Sequence, residues 1–377
     1  MSSSPLRMMI CDDSATMRRL IKFAFQSETK IEIVAEAKNG REAVEQIEAV
    51  KPDILLMDVE MPEMDGIEAV YAIRKKNRCL PIIMFSSLTS RGAEATLDAL
   101  SAGANDFATK PTAQNDFNKS VAYIQKELVT KINELVKPSL GLKPRQSLVS
   151  SVEKVQTKSD ISNQQNRHED FPPSNLTNFR PEIIAIGVST GGPNTLATLF
   201  SKLIAPFPWP ILVVQHMPAI FTNLLANRLS ATSQHIVKEA NEGEKIESGK
   251  VFLAPGDFHM TAKRIGSQFK INLNQAAPEN SSRPAVDVLF RSVAEVSGSR
   301  ALGIVLTGMG KDGLLGATAI KQRCGKIIAQ DQQSSVVWGM PRHIAENGQA
   351  DAVLSLEQII DQLNCLAYPA KEKHLTL

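Results

Sequence analysis

Twice along this chain, short apolar runs alternate with longer amphipathic stretches, and no other feature of the sequence narrows its fold so far. The first series, LRMMIC, IEIVAE, DILLMD, LPIIMF and ANDFAT, runs from Leu6 to about Val136. This is the pattern of βα units around a parallel sheet, and roughly five units are expected. The intervening stretches carry apolar residues at three- and four-residue spacing, and Ser14, Asn39, Asp65 and Ser90 are placed to cap the helices they predict. A second series follows Pro181: IIAIGV, ILVVQ, VFLA, FKINL, ALGIVLT and KIIAQ. Neither series shows a fixed-period repeat.

Between them, about Pro138 to Pro181, lies a stretch rich in Ser, Gln, Asn and Lys that lacks aliphatic periodicity and cannot bury enough surface to order itself. It predicts a flexible linker, with at most a marginal helix around Ser150 to Lys158. The sequence therefore divides into a domain over residues 6–131, a linker over 132–180 and a second α/β domain over 181–370. A chain of 377 residues with 43% hydrophobic content has the size for two cores.

Composition excludes several classes. Lysines and arginines number 42 against 40 acids, a net charge of +2, which gives no electrostatic reason to expect nucleic acid or an anionic membrane as partner. Cys11, Cys79, Cys324 and Cys365 are far apart and form no C-x-x-C pair, which argues against a disulfide framework, a zinc site or a redox dithiol. No apolar run is long enough to span a bilayer, and MSSSPLRMMICDDS does not resemble a signal peptide, so a cytoplasmic protein without membrane insertion is expected.

In an open parallel sheet, ligands collect at the carboxyl ends of strands. Read to their ends, four of the five strands of the first series deliver polar residues: Asp12 and Asp13 after the first, Asp58 after the third, Ser86 after the fourth and Lys110 after the fifth. Singly, each is an ordinary cap or turn residue. Together, three carboxylates, a hydroxyl and an ammonium suit a hard divalent cation beside a phosphoryl group, with Asp58 the best candidate for a carboxylate nucleophile. ICDDSATMRRL, LLMDVEMPEMDG, IIMFSS and DFATKP resemble the receiver domain of two-component response regulators, a flavodoxin-like (βα)5 fold. The resemblance implies that Asp12, Asp13, Asp58 and the backbone carbonyl of Glu60 hold Mg²⁺ and that Asp58 is the phosphoacceptor. It also implies switch roles for Ser86, Phe107 and Lys110, and a cis peptide before Pro111.

In the second domain the first strand ends IIAIGVSTGGPNTL, with Ser189 in a glycine turn before a helix that Pro193 can open. Gly187 and Gly191 lack the G-x-G-x-x-G spacing and no G-K-[ST] follows, so a nucleotide site is weakly supported. A serine on such a turn can be a nucleophile if a base and an orienting acid join it. ILVVQ delivers His216 and ALGIVLTGMGKDG delivers Asp312, each following a separate strand and so expected on one sheet edge. Singly, these too read as structural. The chain order Ser, His, Asp differs from those of the α/β-hydrolases, chymotrypsin and subtilisin, so a doubly wound sheet distinct from the α/β-hydrolase fold is expected. His259 and His343 are plausible rim residues with a more ordinary structural reading, His168 falls in the linker, and His235 and His374 carry no signal. Lys311 reads as solvated, and VDVLFRSVAEV, with Asp287, as helix core.

GVSTGG, VVQHMP, FLAPGDFHM, LTGMGKDG and AQDQQSSVVWGMPR, in this order after a receiver, resemble the catalytic domain of the protein-glutamate methylesterase family of bacterial chemotaxis. The resemblance implies a Ser189–His216–Asp312 triad, with Thr190 on the substrate side and the Met309 backbone amide at the oxyanion. It further implies methyl-ester hydrolysis and glutamine deamidation on methyl-accepting chemotaxis receptors, no cofactor for the hydrolase, and a chemotaxis histidine kinase as phosphodonor. The alternative class is a non-catalytic regulator, but no helix-turn-helix signal or basic stripe supports a DNA-binding output.

Overall fold

The computed structural model describes residues 4–111, 116–136, 176 and 179–368. Most of the expected linker, its Ser150–Lys158 helix, His168 and His374 lie outside the described residues.

The first half comprises β1 (Leu6–Cys11), α1 (Ala15–Phe25), β2 (Ile31–Ala37), α2 (Gly40–Val50), β3 (Ile54–Asp58), α3 (Gly66–Lys76), β4 (Ile82–Ser86), α4 (Ser90–Ala102), β5 (Asp106–Thr109) and α5 (Phe117–Leu135). Its strands pair in parallel in the order β2-β1-β3-β4-β5. Alternation along β1 divides the core: Met8 and Ile10 pack toward α1 and α5, Met9 and Cys11 toward α2, α3 and α4. Ser14, Asn39 and Asp65 cap α1, α2 and α3 as expected, Asp65 in a capping box with Glu68. At α4 the cap is Thr89, whose hydroxyl accepts from Gly92, so Ser90 is the first helical residue and not the cap. Both residues carry a hydroxyl, and the extended backbone of Thr89 decides between them.

The second half comprises β6 (Ile183–Val188), α6 (Gly192–Lys202), β7 (Ile211–Gln215), α7 (Ala219–Thr232), β8 (Ile236–Glu239), β9 (Lys250–Leu253), β10 (His259–Ile265), β11 (Gln268–Asn274), α8 (Val286–Ser297), β12 (Ala301–Val305), α9 (Leu314–Gln322), β13 (Lys326–Gln330), α10 (Met340–Glu346), β14 (Ala352–Leu354) and α11 (Leu356–Ala367). Seven strands form a parallel sheet in the order β14-β13-β12-β6-β7-β9-β8. One face packs on α6, α7 and α11, the other on α8, α9 and α10. FKINL does not enter this sheet. It lies in β11, paired antiparallel with β10 from His259↔Asn274 to Ile265↔Gln268, because the short turn at Gly266, with φ +61°, folds the chain straight back. Strand order reverses at β6, which lies between β12 and β7, and that opens a crevice at the carboxyl ends of all three.

The two halves share one apolar cluster that runs from Leu97 and Phe107 to Phe221 and Leu225. Among the described residues, no helix is long and apolar enough to cross a membrane.

Candidate functional site

At the carboxyl edge of the first sheet, the Lys110 ammonium lies 2.7 Å from Asp58 Oδ2 and 2.8 Å from Asp12 Oδ2. Asp12 and Asp58 are buried and Asp13 is exposed, and ligand oxygens of all three fall within 4.8 Å of one another. Burial, and then the facing Asp12 carboxylate, push the Asp58 carboxyl up to about 6 against the pull of Lys110. Burial disfavours the charged form of Lys110, yet the two carboxylates hold its proton on and its pKa is raised overall. Three carboxylates against one ammonium leave uncompensated negative charge, so the donor set fits a hard cation. The Ser86 hydroxyl is fully buried and donates to the Gly92 carbonyl at 3.0 Å. The Glu60 side chain is exposed, with Arg91 3.1 Å from its carboxylate. The cis bonds among the described residues are Ala205–Pro206 and Arg283–Pro284, so the peptide before Pro111 is trans, contrary to expectation.

In the second domain, Ser189 follows β6, His216 follows β7, and Asp312 lies in the loop after β12. His216 Nε2 is 2.8 Å from Asp312 Oδ2, which leaves Nδ1 as the ring nitrogen able to serve a hydroxyl. Five donors converge on the Asp312 carboxylate: His216, the backbone amides of Val286, Asp287 and Gly313, and the Asn280 side chain. Burial alone would raise the Asp312 carboxyl, but the His216 hydrogen bond and charge, with the backbone amides, hold it below the usual carboxylate range. Asp312 also caps α8, whose own N-cap residue, Ala285, has no capping side chain.

Ser189 is half-buried, and its hydroxyl makes no hydrogen bond among the described residues. It shares with His216, Asp312 and Met309 a cleft of about 710 Å³. Catalytic hydrogen bonds often tighten only when substrate is bound. Gly308 lies against the serine: a Cβ there would sit 2.8 Å from Ser189 Cβ and 2.6 Å from Met340 Sδ. The Met309 backbone N–H is likewise unpaired among the described residues, as an oxyanion donor must be before substrate arrives.

The other cleft wall comes from the first domain. Thr190, 4% exposed, donates its hydroxyl to Asp106 Oδ2 at 3.0 Å, and Lys131 Nζ lies 2.7 Å from the same oxygen. Phe107 stacks on Phe221 at 4.6 Å and 20°. Asn194 donates to the Leu100 carbonyl at 2.7 Å, and Arg228 pairs with Asp98 at 2.7 Å. Strand β5 and α5 therefore line the Ser189 cleft from the receiver side, and α4 packs beside it on α6 and α7.

The remaining histidines are not drawn into this site. His259 is fully buried, with Nε2 3.1 Å from the Ala277 carbonyl and Nδ1 accepting from Ala285, and His235 is buried against the Leu203 carbonyl. His343 lies in α10 outside the cleft lining, and Lys311 is exposed at its rim. Sequence reasoning missed Asp106, Gln215 and Asn280. It also read Asp287 as part of an apolar face, whereas this residue is a buried carboxylate joined through Asn280 to Asp312. Burial, and then the negative charge of Asp312, raise the Asp287 carboxyl against its hydrogen-bond donors.

Residues 184–363 match the CheB methylesterase family and residues 8–122 the response regulator receiver domain. The protein-glutamate methylesterase/protein-glutamine glutaminase of Trichodesmium erythraeum is 44% identical over 95% of this chain and 97% of its own. The chain belongs to the CheB methylesterase family. The protein of the same name from a Nocardioides species is 42% identical over 94% of this chain and 93% of its own. The crystal structure of the Thermotoga maritima CheB methylesterase catalytic domain aligns with 49% of this chain and 98% of that one, with a TM-score of 0.49 and 44% identity. As a family member this chain carries both parts, a receiver followed by a methylesterase domain.

Proposed function

We propose that this chain is a phosphorylation-activated protein-glutamate methylesterase that also deamidates particular glutamines. Its substrates would be methyl-accepting chemotaxis receptors, reached from the cytoplasm, and the outcome sensory adaptation. Ser189 Oγ attacks the γ-carbonyl of a glutamyl methyl ester while His216 takes its proton. The proton passes to the departing methoxide, methanol leaves, and an acyl-serine remains. Water, deprotonated by the same imidazole, releases the free glutamate side chain and restores the serine; with a glutamine, ammonia leaves in place of methanol. Asp312, held charged by its five donors, fixes the ring and stabilises the imidazolium, and the Met309 amide, in the same cleft, would donate to the oxyanion. Thr190 borders the serine on the substrate side.

In the receiver, Asp58 is the proposed phosphoacceptor from a chemotaxis histidine kinase. Asp12, Asp13, Asp58 and the Glu60 carbonyl would hold Mg²⁺, which when bound offsets charge on the phosphoryl oxygens. Lys110 balances the same charge from the protein side. The observation that carries the regulatory reading is the Asp106–Thr190 hydrogen bond: the receiver occupies the residue next to the nucleophile. Phosphorylation would shift the pair of domains toward an open state.

Methanol release from radiomethylated receptor membranes tests both parts. Wild type should respond to a small phosphodonor, Asp58→Asn should not, and Ser189→Ala should release none. Equal phosphodonor responses from wild type and Asp58→Asn would remove the regulatory reading, and full turnover by Ser189→Ala the catalytic one.

A further inference from the structure

We infer that Gln215 is a positioning residue for the nucleophile and its base, an inference that rests on reading Ser189 and His216 in those roles. Gln215 ends β7 and is 2% exposed. Its Nε2 donates to the Ser189 carbonyl at 2.9 Å and to the His216 carbonyl at 3.2 Å. One side chain therefore ties together the backbones of two residues whose side chains share no hydrogen bond.

Two carbonyl partners fix the amide orientation, since only the NH₂ can serve both. Oε1 is thereby turned toward α6, buried and without a hydrogen-bond partner. Gly192 leaves it room: a Cβ there would lie 1.9 Å from Gln215 Oε1. An unpaired buried acceptor is costly, and an apolar side chain at this position would avoid the cost. What glutamine adds is the pair of N–H bonds.

The Ser189 carbonyl also accepts from the Gly192 amide at 2.8 Å, so both its lone pairs are engaged. In a trans peptide the following N–H points opposite to the carbonyl. Pinning Ser189 O toward Gln215 therefore turns the Thr190 N–H away from Gln215, and that N–H has no hydrogen-bond partner among the described residues. The clamp sets both the serine–histidine spacing and the direction of the amide that follows the nucleophile. Both matter more in the transition state than in substrate binding, so kcat should fall while KM stays.

The test uses the full-length phosphorylated chain, with methanol release from methylated receptors as readout and thermal denaturation as the check on folding. Gln215→Met keeps size and removes both donors; its kcat should drop on the order of 10- to 100-fold, with KM within about twofold of wild type. Gly192→Ala should displace the amide and lower kcat in the wild-type background, yet add less than about twofold in Gln215→Ala. That coupling decides the matter should Gln215→Met fail to fold. A folded Gln215→Met with kcat within about threefold of wild type, or equal losses from Gly192→Ala in both backgrounds, overturns the inference. Ser189→Ala, run alongside, separates the two levels. If it still turns over, the underlying reading fails; if it is inert while the Gln215 variants keep the wild-type rate, only the positioning role fails.

Discussion

Replacing Asp106 by asparagine should raise the activity of the unphosphorylated enzyme about fivefold. Asp106 has three partners, of which Lys131 and the Phe107 amide belong to the receiver and persist whether or not the domains are docked. The Thr190 hydroxyl, 3.0 Å away, is the partner supplied by the second domain. A hydrogen bond to a charged group contributes about 1.5–3 kcal/mol and a neutral one about 0.5–1.5, so the swap weakens docking by roughly 1 kcal/mol. With the docked form dominant, that multiplies the open population by about five, up to the ceiling set by the phosphorylated rate. The assay is methanol release without phosphodonor, with Asp58→Asn in both chains to remove residual phosphorylation. An unchanged basal rate would refute the reasoning, because it would mean that the contact at Thr190 does not hold the cleft closed.

Arg228→Ala breaks an ion pair with half-exposed partners, worth about 0.2–1 kcal/mol, so its basal activation should be smaller than that of Asp106→Asn in the same assay. Asp312→Asn sets an amide against five donors; turnover should fall on the order of 10³- to 10⁴-fold, and unfolding in urea should show reduced stability at pH 7. Because the folded state holds the Asp312 carboxyl low, its contribution is complete above the unfolded value of about 4 and fades as pH falls through the folded one; the variant should lose less stability than wild type on acidification. Asp58 acts in the opposite direction. Raised to about 6, it costs metal-free protein on the order of 2–3 kcal/mol as pH climbs from about 4 to 7, a slope that Asp58→Asn should lack and Mg²⁺ should reverse in thermal melts.

The first sheet and the five inner strands of the second were legible because a βα unit writes its period locally, and strand ends followed from the same rhythm; the edge strands β8 and β14, four and three residues long, are too short to write it. Ser189, His216 and Asp312 were placed on one sheet edge by that rule and joined as a triad by the family resemblance, and the structure brings the last two within 2.8 Å. The β10–β11 hairpin was missed because FKINL is as apolar as a parallel strand, while its partner HMTAKRI is mostly polar. Asp287 had a readable signal, since it falls three and seven residues before Phe290 and Ala294 on a buried helical face, where a carboxylate needs a donor. Gln215 and Asp106 had none. Their partners at Ser189 and Thr190 lie 26 and 84 residues away, and no local pattern encodes such a meeting.

The closure of one domain over the other follows from where those strand ends lie. The edge of the receiver sheet that gathers carboxylates is continuous with β5, whose four residues span about 13 Å. Asp106 at its start holds Thr190, and Phe107 stacks on Phe221. Lys110, one residue past its end, touches Asp58 and Asp12. A change of charge at Asp58 therefore acts on a residue joined covalently to the contact that closes the cleft. The Ser86 hydroxyl offers a second route. It is held by Gly92 in the first turn of α4, the helix that reaches the second domain through Asp98 and Leu100. Drawing that hydroxyl toward a phosphoryl group would release α4 at its N-terminus while β5 is pulled at its C-terminus, so a single covalent event at Asp58 would loosen both interface elements. Under the proposed phosphorylation of Asp58, two short rigid segments, each fixed at one end by that pocket, would suffice, with no wire of side chains through the core.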